Sequence, residues 1–130
     1  MSTIKQRIEA SEKLHPYLRS GSTGSENYYR MVIGGILYTE GVKEVLEKNE
    51  ALWVLGIIGS YRREIGRSEG FCVARICKEG EGCLFALDEG NDDGEYLVTQ
   101  EIEYTDIRAN LKLYVQTDGE RWFLMMPEEY

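Results

Sequence analysis

One stretch near the C-terminus decides the fold: LKLYVQTDGERWFLMM, residues 111–126. Apolar and polar residues alternate on both sides of Asp118-Gly119, which is typical of two half-buried strands. A two-residue Asp-Gly loop favours a type I′ turn, because the twist of that turn matches the twist of the flanking strands. The sequence therefore predicts a tight hairpin whose core face contains three cross-strand pairs: Val115 with Trp122, Leu113 with Leu124, and Leu111 with Met126.

The opposite face of the same hairpin is unusually apolar for a protein surface. It places Tyr114 opposite Phe123 and Lys112 opposite Met125. An exposed apolar patch of this kind is unusual unless it has a function. We therefore predict that Tyr114, Phe123 and Met125 form part of a partner-binding surface.

The period-two pattern begins at Phe71, and the residues before it show helical spacing, so the sequence predicts an α+β fold. Short connections rich in Gly, Asp and Asn favour a five-stranded antiparallel meander, with the N-terminal helices packed on one face. No domain boundary interrupts the pattern. We expect a single domain over 1–130, with a helical part at about 1–67 and a sheet part at about 70–127. The predicted strands are 71–78, 83–88, 96–105, 111–117 and 120–126.

The N-terminal part carries the helical signals. Apolar residues at helical spacing in 2–18 predict an amphipathic helix that Pro16 ends or bends, because proline cannot donate to the helical hydrogen bonds. The segment 28–38 is nearly continuously apolar, so its periodicity does not decide between helix and strand. We expect it to be extended.

A second helical pattern starts at Thr39, which is typical of an N-cap residue. The apolar stripe that follows is interrupted near Asn49-Glu50 and continues through an almost wholly apolar segment up to residue 60. Gly56 and Gly59 lower the helix propensity of that segment and would allow another backbone to approach closely.

Charge is unevenly distributed along the chain. The net charge is −8 at pH 7, and the excess acid lies after residue 68, in the part that is expected to form strands. Glu101 and Glu103 are two residues apart and should share the outer face of one strand. A surface of this kind repels phosphate and attracts basic partners, so we expect no direct contact with nucleic acid. Glu101 and Glu103 are predicted to belong to the partner-binding surface.

The sequence points to a reducing compartment. No apolar run approaches the roughly 20 residues of a membrane-spanning helix, and the N-terminus lacks the apolar core of a signal peptide. We therefore expect no membrane contact and a cytoplasmic location. Three cysteines, an odd number, fit reduced thiols better than a disulfide framework. Cys77 and Cys83 are expected to face each other across a hairpin, and Cys72 to lie on the opposite face from Cys77.

No group of residues predicts catalysis, a metal site or a cofactor. His15 is the only histidine, and a general base needs an orienting partner that the sequence does not supply. The three thiols lack the paired Cys-x-x-Cys spacing and the fourth ligand of a structural zinc site. We therefore predict a protein without catalytic residues, metal or cofactor.

A polar loop ahead of the first apolar run offers an alternative site. It lacks the Gly-Lys-Ser/Thr ending of a phosphate-binding loop, and an ordered turn is the competing interpretation. Its hydroxyls, amides and one cation could nevertheless hold a small anionic ligand such as a nucleotide. The residues of this alternative site are Thr23, Ser25, Asn27, Tyr29 and Arg30.

Four segments, taken in order, are similar to one known family. They are Thr23-Gly24-Ser25-Glu26-Asn27-Tyr28-Tyr29-Arg30, Leu37-Tyr38-Thr39-Glu40-Gly41-Val42, Thr99-Gln100-Glu101-Ile102-Glu103-Tyr104-Thr105-Asp106 and Met126-Pro127-Glu128-Glu129-Tyr130. Together they resemble a family of small uncharacterised proteins of bacterial and phage genomes, known as a domain of unknown function. The resemblance implies no activity and no catalytic residues. It implies the company of phages and mobile elements, whose small acidic proteins often inhibit host machinery.

Two hypotheses about function follow. The first is a non-enzymatic acidic interaction module, of phage or mobile-element origin, that binds and inhibits a basic host protein through its sheet. That partner would be a defence protein or one that normally binds nucleic acid, and a homodimer is compatible with this hypothesis. The alternative is a small-ligand or nucleotide-binding protein that uses the loop at 23–30.

Overall fold

The computed structural model describes residues 2–19, 27–91 and 93–130. Within these residues the chain forms four α-helices, one seven-stranded sheet and a final 3-10 turn. Crossing a membrane requires a longer and more apolar helix than any of those described. In chain order the elements are α1 Ile4–Leu14, β1 Tyr28–Arg30, β2 Leu37–Thr39, α2 Glu40–Lys48, α3 Trp53–Ser60, α4 Arg62–Gly66, β3 Phe71–Glu79, β4 Gly82–Asp88, β5 Val98–Ile102, β6 Leu111–Thr117, β7 Trp122–Met125 and the 3-10 turn Pro127–Glu129.

The strands follow a different order from the predicted one. The sheet runs β1-β2-β7-β6-β3-β4-β5, with β2 and β7 parallel and the other neighbours antiparallel. The prediction of a five-stranded antiparallel meander is therefore wrong. After the edge strand β5 the chain returns to the far side of β3. The segment 28–38, which we expect to be extended, supplies β1 and most of β2, and these strands join β7 from within the part at about 1–67 that was expected to be mainly helical. The apolar alternation determines which side chains share a face, but not which strands are neighbours.

The predicted hairpin forms with a shifted register. The Asp118 carboxylate accepts hydrogen bonds from the amides of Glu120 (3.0 Å) and Arg121 (2.8 Å), so the loop has four residues and β7 begins later than expected. Val115 consequently pairs with Leu124 instead of Trp122. Because the shift is two residues, every side chain keeps its predicted face. The predicted core residues are all buried: Leu111, Leu113, Val115, Trp122, Leu124 and Met126.

One face of the sheet packs against α2, α3 and α4, and we call it the α2–α4 face. As predicted, Thr39 caps α2, since its hydroxyl accepts a hydrogen bond from the amide of Val42 at 3.2 Å. The predicted helix break also occurs, with Glu50 in the left-handed region at φ 52°. The apolar side chains of these helices and of the strands beneath them form the main core.

The other face of the sheet carries α1, and we call it the α1 face. Ile8 of α1 packs with Cys77, Leu84 and Ala86 in a second, smaller core. The expectation that all helices pack on one face is therefore wrong. The helical spacing of residues 2–18 specifies an apolar stripe on α1, but a stripe of this kind can bind either face of a sheet that is apolar on both sides.

Asn110, fully buried, fixes α1 in this position. Its side-chain oxygen accepts hydrogen bonds from the amide of Lys78 at 2.7 Å and from the hydroxyl of Ser11 at 3.1 Å. Its backbone amide donates to Pro16 at 3.0 Å, and its carbonyl accepts from Leu18 at 2.8 Å. One residue therefore joins α1, the end of β3, the segment after α1 and the start of β6.

The C-terminal turn reaches back to the start of α2. The Glu129 carboxylate accepts hydrogen bonds from the Thr39 hydroxyl and from the amide of Met126, both at 2.8 Å. A Cβ atom at Gly41 would lie 2.9 Å from the same carboxylate, so a larger residue here would displace the Glu129 side chain. Two segments that are distant in sequence, 37–42 and 126–130, thus form one contact.

The turn between β1 and β2 packs against α3 through backbone atoms. A Cβ atom at Gly59 would overlap the carbonyl of Ile33, and Gly34 on the other side adopts φ +82°. The predicted close approach of a second backbone therefore occurs at Gly59. At Gly56 a Cβ atom would meet no described residue within 4 Å.

These two glycines allow a matched test. We expect Gly59→Ala to destabilise the fold by about 1–3 kcal/mol, because the added methyl group forces the β1–β2 turn away from α3. Gly56→Ala should be neutral or stabilise by up to about 1 kcal/mol, since alanine favours the helix and the space is open. Urea unfolding of the two variants measures both values. Equal effects of the two substitutions would contradict this account of Gly59.

Candidate functional site

The α1 face of the sheet has a covered part and an open part. Where α1 packs, it covers β3 and β4. From the start of β3 across β6, β7, β2 and β1, no α-helix of residues 2–19, 27–91 and 93–130 packs on this face, but the 3-10 turn Pro127–Glu129 adjoins β6 and Gly90 lies against the Phe71 ring. We call the side chains on this part the open sheet surface: Tyr28, Leu37, Phe71, Tyr114, Phe123, Met125 and Tyr130.

Aromatic rings make up most of the open sheet surface and contact one another edge to face. The ring centroids of Tyr28 and Phe123 are 5.5 Å apart, and Phe71 lies 5.1 Å from Tyr114 and 5.4 Å from Tyr130. Each such contact contributes roughly 0.5–1.5 kcal/mol beyond the burial of area. Tyr28 nevertheless stays 53% exposed and Tyr130 69% exposed. The rings are therefore held in place by one another and still present contact area to solvent.

Three residues of the predicted partner-binding surface lie here. Tyr114, Phe123 and Met125 are half-buried and occupy the face opposite the core, as the hairpin pattern indicates. Their pairing differs from the predicted one, because Tyr114 pairs with Met125 and Phe123 pairs with Gln116. That they bind a partner stays a prediction.

Cations border the open sheet surface although the protein as a whole is acidic. Arg30 pairs with Leu37 at the outer edge and is exposed. The Arg121 guanidinium lies 5.3 Å from the centroid of the Phe123 ring, within the range of a cation–π contact. Lys112 precedes Tyr114 by two residues on β6 and so shares its face. Arg121 also forms an ion pair with Asp118 at 3.5 Å, so Arg30 and Lys112 are the border cations that form no ion pair with another described residue.

The two acidic residues of the predicted partner-binding surface lie elsewhere. Glu101 belongs to β5, and Glu103 follows the end of that strand. β5 and β7 are separated by three strands, which amounts to about 19 Å across the sheet. Arg7 of α1 bonds Glu101 at 2.6 Å and Glu79 at 2.6 and 2.9 Å. The acidic and aromatic residues therefore do not form one surface.

The alternative ligand loop is only partly described. Thr23 and Ser25 lie outside the described residues. The amide of Asn27 donates to Glu40 at 3.4 Å. Tyr29 lies on the α2–α4 face beneath the ammonium group of Lys43, 4.9 Å from its ring centroid, whereas Arg30 lies on the α1 face. The sheet therefore separates Tyr29 from Arg30, and the two side chains do not converge on one ligand.

A hollow of about 550 Å³ lies at the edge of the open sheet surface. The segment after α1 forms one wall, β6 forms the floor, and the C-terminal turn closes the other side. Ligand pockets usually have volumes of about 300–1,000 Å³. The lining residues are Tyr17, Leu18, Arg19, Lys112, Tyr114, Pro127 and Glu128.

A largely buried ion pair lies under α1, outside this hollow, and serves the fold. The Arg75 guanidinium donates to Asp88 at 2.8 Å, and the other oxygen of Asp88 accepts from the amide of Gly90 at 2.7 Å. Burial lowers the pKa of Arg75, but the Asp88 carboxylate outweighs burial and keeps that pKa above its ordinary value. Both charges are satisfied within the chain, so the pair supports the floor of the α1 face.

The three thiols are free, buried and poorly nucleophilic. Cys77 pairs with Leu84, and Cys83 pairs with Lys78, so the expectation that the two cysteines face each other is wrong and they lie on opposite faces. Burial raises the pKa of Cys77 and of Cys83 to about 11, and it raises the pKa of Cys72 as well. Within the described ranges, no three His, Cys, Asp or Glu side chains are placed to hold a metal ion.

The raised pKa values of the buried thiols predict that the protein loses stability at alkaline pH. The pKa of Cys77 and of Cys83 is about 9 when unfolded and about 11 when folded, so the folded state holds more protons between these values. The free energy of unfolding should therefore fall as the pH rises from about 9 to 11, by on the order of 2 kcal/mol per thiol.

Urea unfolding as a function of pH measures this effect. The double variant Cys77→Ala with Cys83→Ala should show a flatter pH profile above pH 9, whatever its stability at pH 7. A profile as steep as that of the unchanged protein would contradict the assignment to these thiols.

Sequence reasoning missed the hollow and half of the open sheet surface. Tyr28 and Phe71 join this surface only because β1 and β3 take places in the sheet that local patterns do not specify. Tyr17 and Arg19 line the hollow because the segment after Pro16 pairs with Asn110. The only local signal was the alternation in β6, which places Lys112 and Tyr114 on one face.

Comparisons with known proteins identify a family and a fold. The model of DUF6876, described as a family of unknown function, matches residues 17–130. No curated protein matches the chain. A crystal structure of a protein of unknown function from Enterococcus faecalis superimposes with a TM-score of 0.50 at 12% identity, over 72% of this chain and 87% of that one. At this level of identity the likeness shows the fold alone.

Proposed function

This chain belongs to the DUF6876 family, and we propose that it acts by binding another protein through the open sheet surface. The observation that carries the proposal is the set of mutually packed aromatic rings on strands that no described helix covers. Exposed apolar patches mark interaction sites. Tyr, Phe and Met are enriched in protein interfaces because they bury large areas at low entropic cost.

The charges at the border define the chemistry of the partner. Arg30 and Arg121 favour a partner with an apolar centre and an acidic rim. The basic partner that the composition suggests fits the acidic edge at β5 instead, and we keep it as the competing proposal. In either case the module acts by occupying a surface of its partner, so inhibition of a host protein follows where that surface is functional.

Substitution of two rings tests the proposal. Tyr28→Ser combined with Phe123→Ser removes contact area outside the hollow, and each anchor is expected to be worth about 2 kcal/mol of binding. Affinity capture from cells that encode this chain should yield a stoichiometric partner with the unchanged protein and lose it with this variant. The matched control is Tyr104→Ser with Leu14→Ser, which removes exposed side chains of similar size elsewhere, 68% and 77% exposed. Equal capture by both double variants would refute the proposal.

The salt dependence of association separates the two partner chemistries. With an acidic-rimmed partner, Arg30→Gln and Arg121→Gln should slow association and flatten its dependence on salt, because screening shortens the reach of exposed charge to about 8 Å at physiological ionic strength. Glu101→Gln should change nothing. The opposite result, with Glu101→Gln slowing association, would favour the basic partner at the β5 edge.

A further inference from the structure

The hollow beside the open sheet surface is lined by two cations, Lys112 and Arg19, and by the carboxylate of Glu128. Lys112 is half-buried on β6, and Arg19 lies on the facing wall. Neither forms an ion pair within the described part of the chain. The ammonium group of Lys112 is instead 4.5 Å from the centroid of the Tyr17 ring. A half-buried ammonium group without a carboxylate is uncommon, because burial removes hydration that an anion would normally replace.

Aromatic and apolar side chains form the walls around these cations. The hydroxyl of Tyr17 donates to Glu12 at 2.8 Å, so the ring is the part of Tyr17 that the hollow can use. The Tyr114 ring is fixed by edge contacts with Phe71 and Tyr130, at 5.1 and 5.3 Å. The hollow therefore combines two fixed rings with two cations that form no ion pair in the described part of the chain.

We propose that this hollow binds a small molecule that combines an aromatic ring with an anionic group, either a phosphate or a carboxylate. The ring packs between Tyr17 and Tyr114, and the anion lies between Lys112 and Arg19. Arg19 offers a planar fork that matches both kinds of anion, and Lys112 supplies a point charge. Glu128, which also lines the hollow, repels an anion at its side and so favours a single orientation.

This site is distinct from the protein-docking function proposed above. The two share Tyr114, but Tyr28 and Phe123 do not line the hollow. A ligand in the hollow would lie beside a docked partner, and its binding would not depend on that partner. The two proposals can therefore fail separately, because each has its own variants.

Titration calorimetry with simple probes tests the site. We expect phenyl phosphate to bind, and inorganic phosphate or benzyl alcohol to bind at least about tenfold more weakly, a loss of 1.4 kcal/mol. Phenylacetate in place of phenyl phosphate shows whether a carboxylate serves as well as a phosphate. If neither aromatic anion binds at about 10 mM, the proposal is overturned, because a dissociation constant above that concentration corresponds to a binding free energy of less than about 3 kcal/mol.

Charge-matched variants assign the binding to the hollow. Arg19→Gln and Lys112→Gln should each weaken phenyl phosphate about tenfold or more, whereas Arg108→Gln and Lys13→Gln, which remove exposed charges outside the hollow, should not. Lys112→Arg should retain most of the affinity. If Lys112→Gln fails to fold, Arg19→Gln decides alone, since Arg19 is exposed. Equal losses in Arg19→Gln and Arg108→Gln would show a general effect of net charge and overturn the site.

Discussion

The hydrogen bonds of one buried asparagine fix the position of α1 on the sheet, and that position determines which part of the α1 face is covered and which is open. Asn110 satisfies the end of β3 and the hydroxyl of Ser11, and its backbone holds the segment after α1 against β6. Among the described residues the nitrogen of its side chain is buried without a hydrogen-bond partner, which costs stability at this junction. Because α1 is bound at this place, it covers β3 and β4 and leaves the strands beyond them open. The aromatic surface and the hollow beside it both follow from that position.

The fold was predictable from sequence where local chemistry determines it. The cap at Thr39, the break after α2 and the faces of β6 and β7 depend on neighbouring residues, and the sequence specifies all of them. The order of the strands depends on contacts between distant segments, so local patterns left it open. The predicted register of the hairpin was wrong for a local reason. The Asp118 carboxylate accepts hydrogen bonds from two amides of its own loop, and this lengthens the turn.

The predicted acidic residues and the aromatic surface lie at different parts of the sheet. The composition alone suggested, incorrectly, that they coincide. The net charge of −8 implied that the acidic and aromatic residues share a surface. In the structure Arg7 holds Glu79 and Glu101 together at the β5 end, whereas Arg30 and Arg121 lie beside the rings at the other end, with Arg121 paired to Asp118. The candidate site combines Tyr28, Tyr114 and Phe123 from strands that are far apart in sequence. Only the pair on the hairpin was visible beforehand.

The parallel pairing of β2 with β7 delays the last step of folding. β1 and β2 have three residues each, too few for an isolated hairpin to be stable in water. They gain a partner only when β7 arrives, and the contact between Thr39 and Glu129 that completes this edge spans 90 residues. Contacts of such long sequence separation form slowly, because the loop must close first. During synthesis β1 and β2 therefore pair stably only after β7 has been made. The aromatic surface forms only when the chain has almost finished folding.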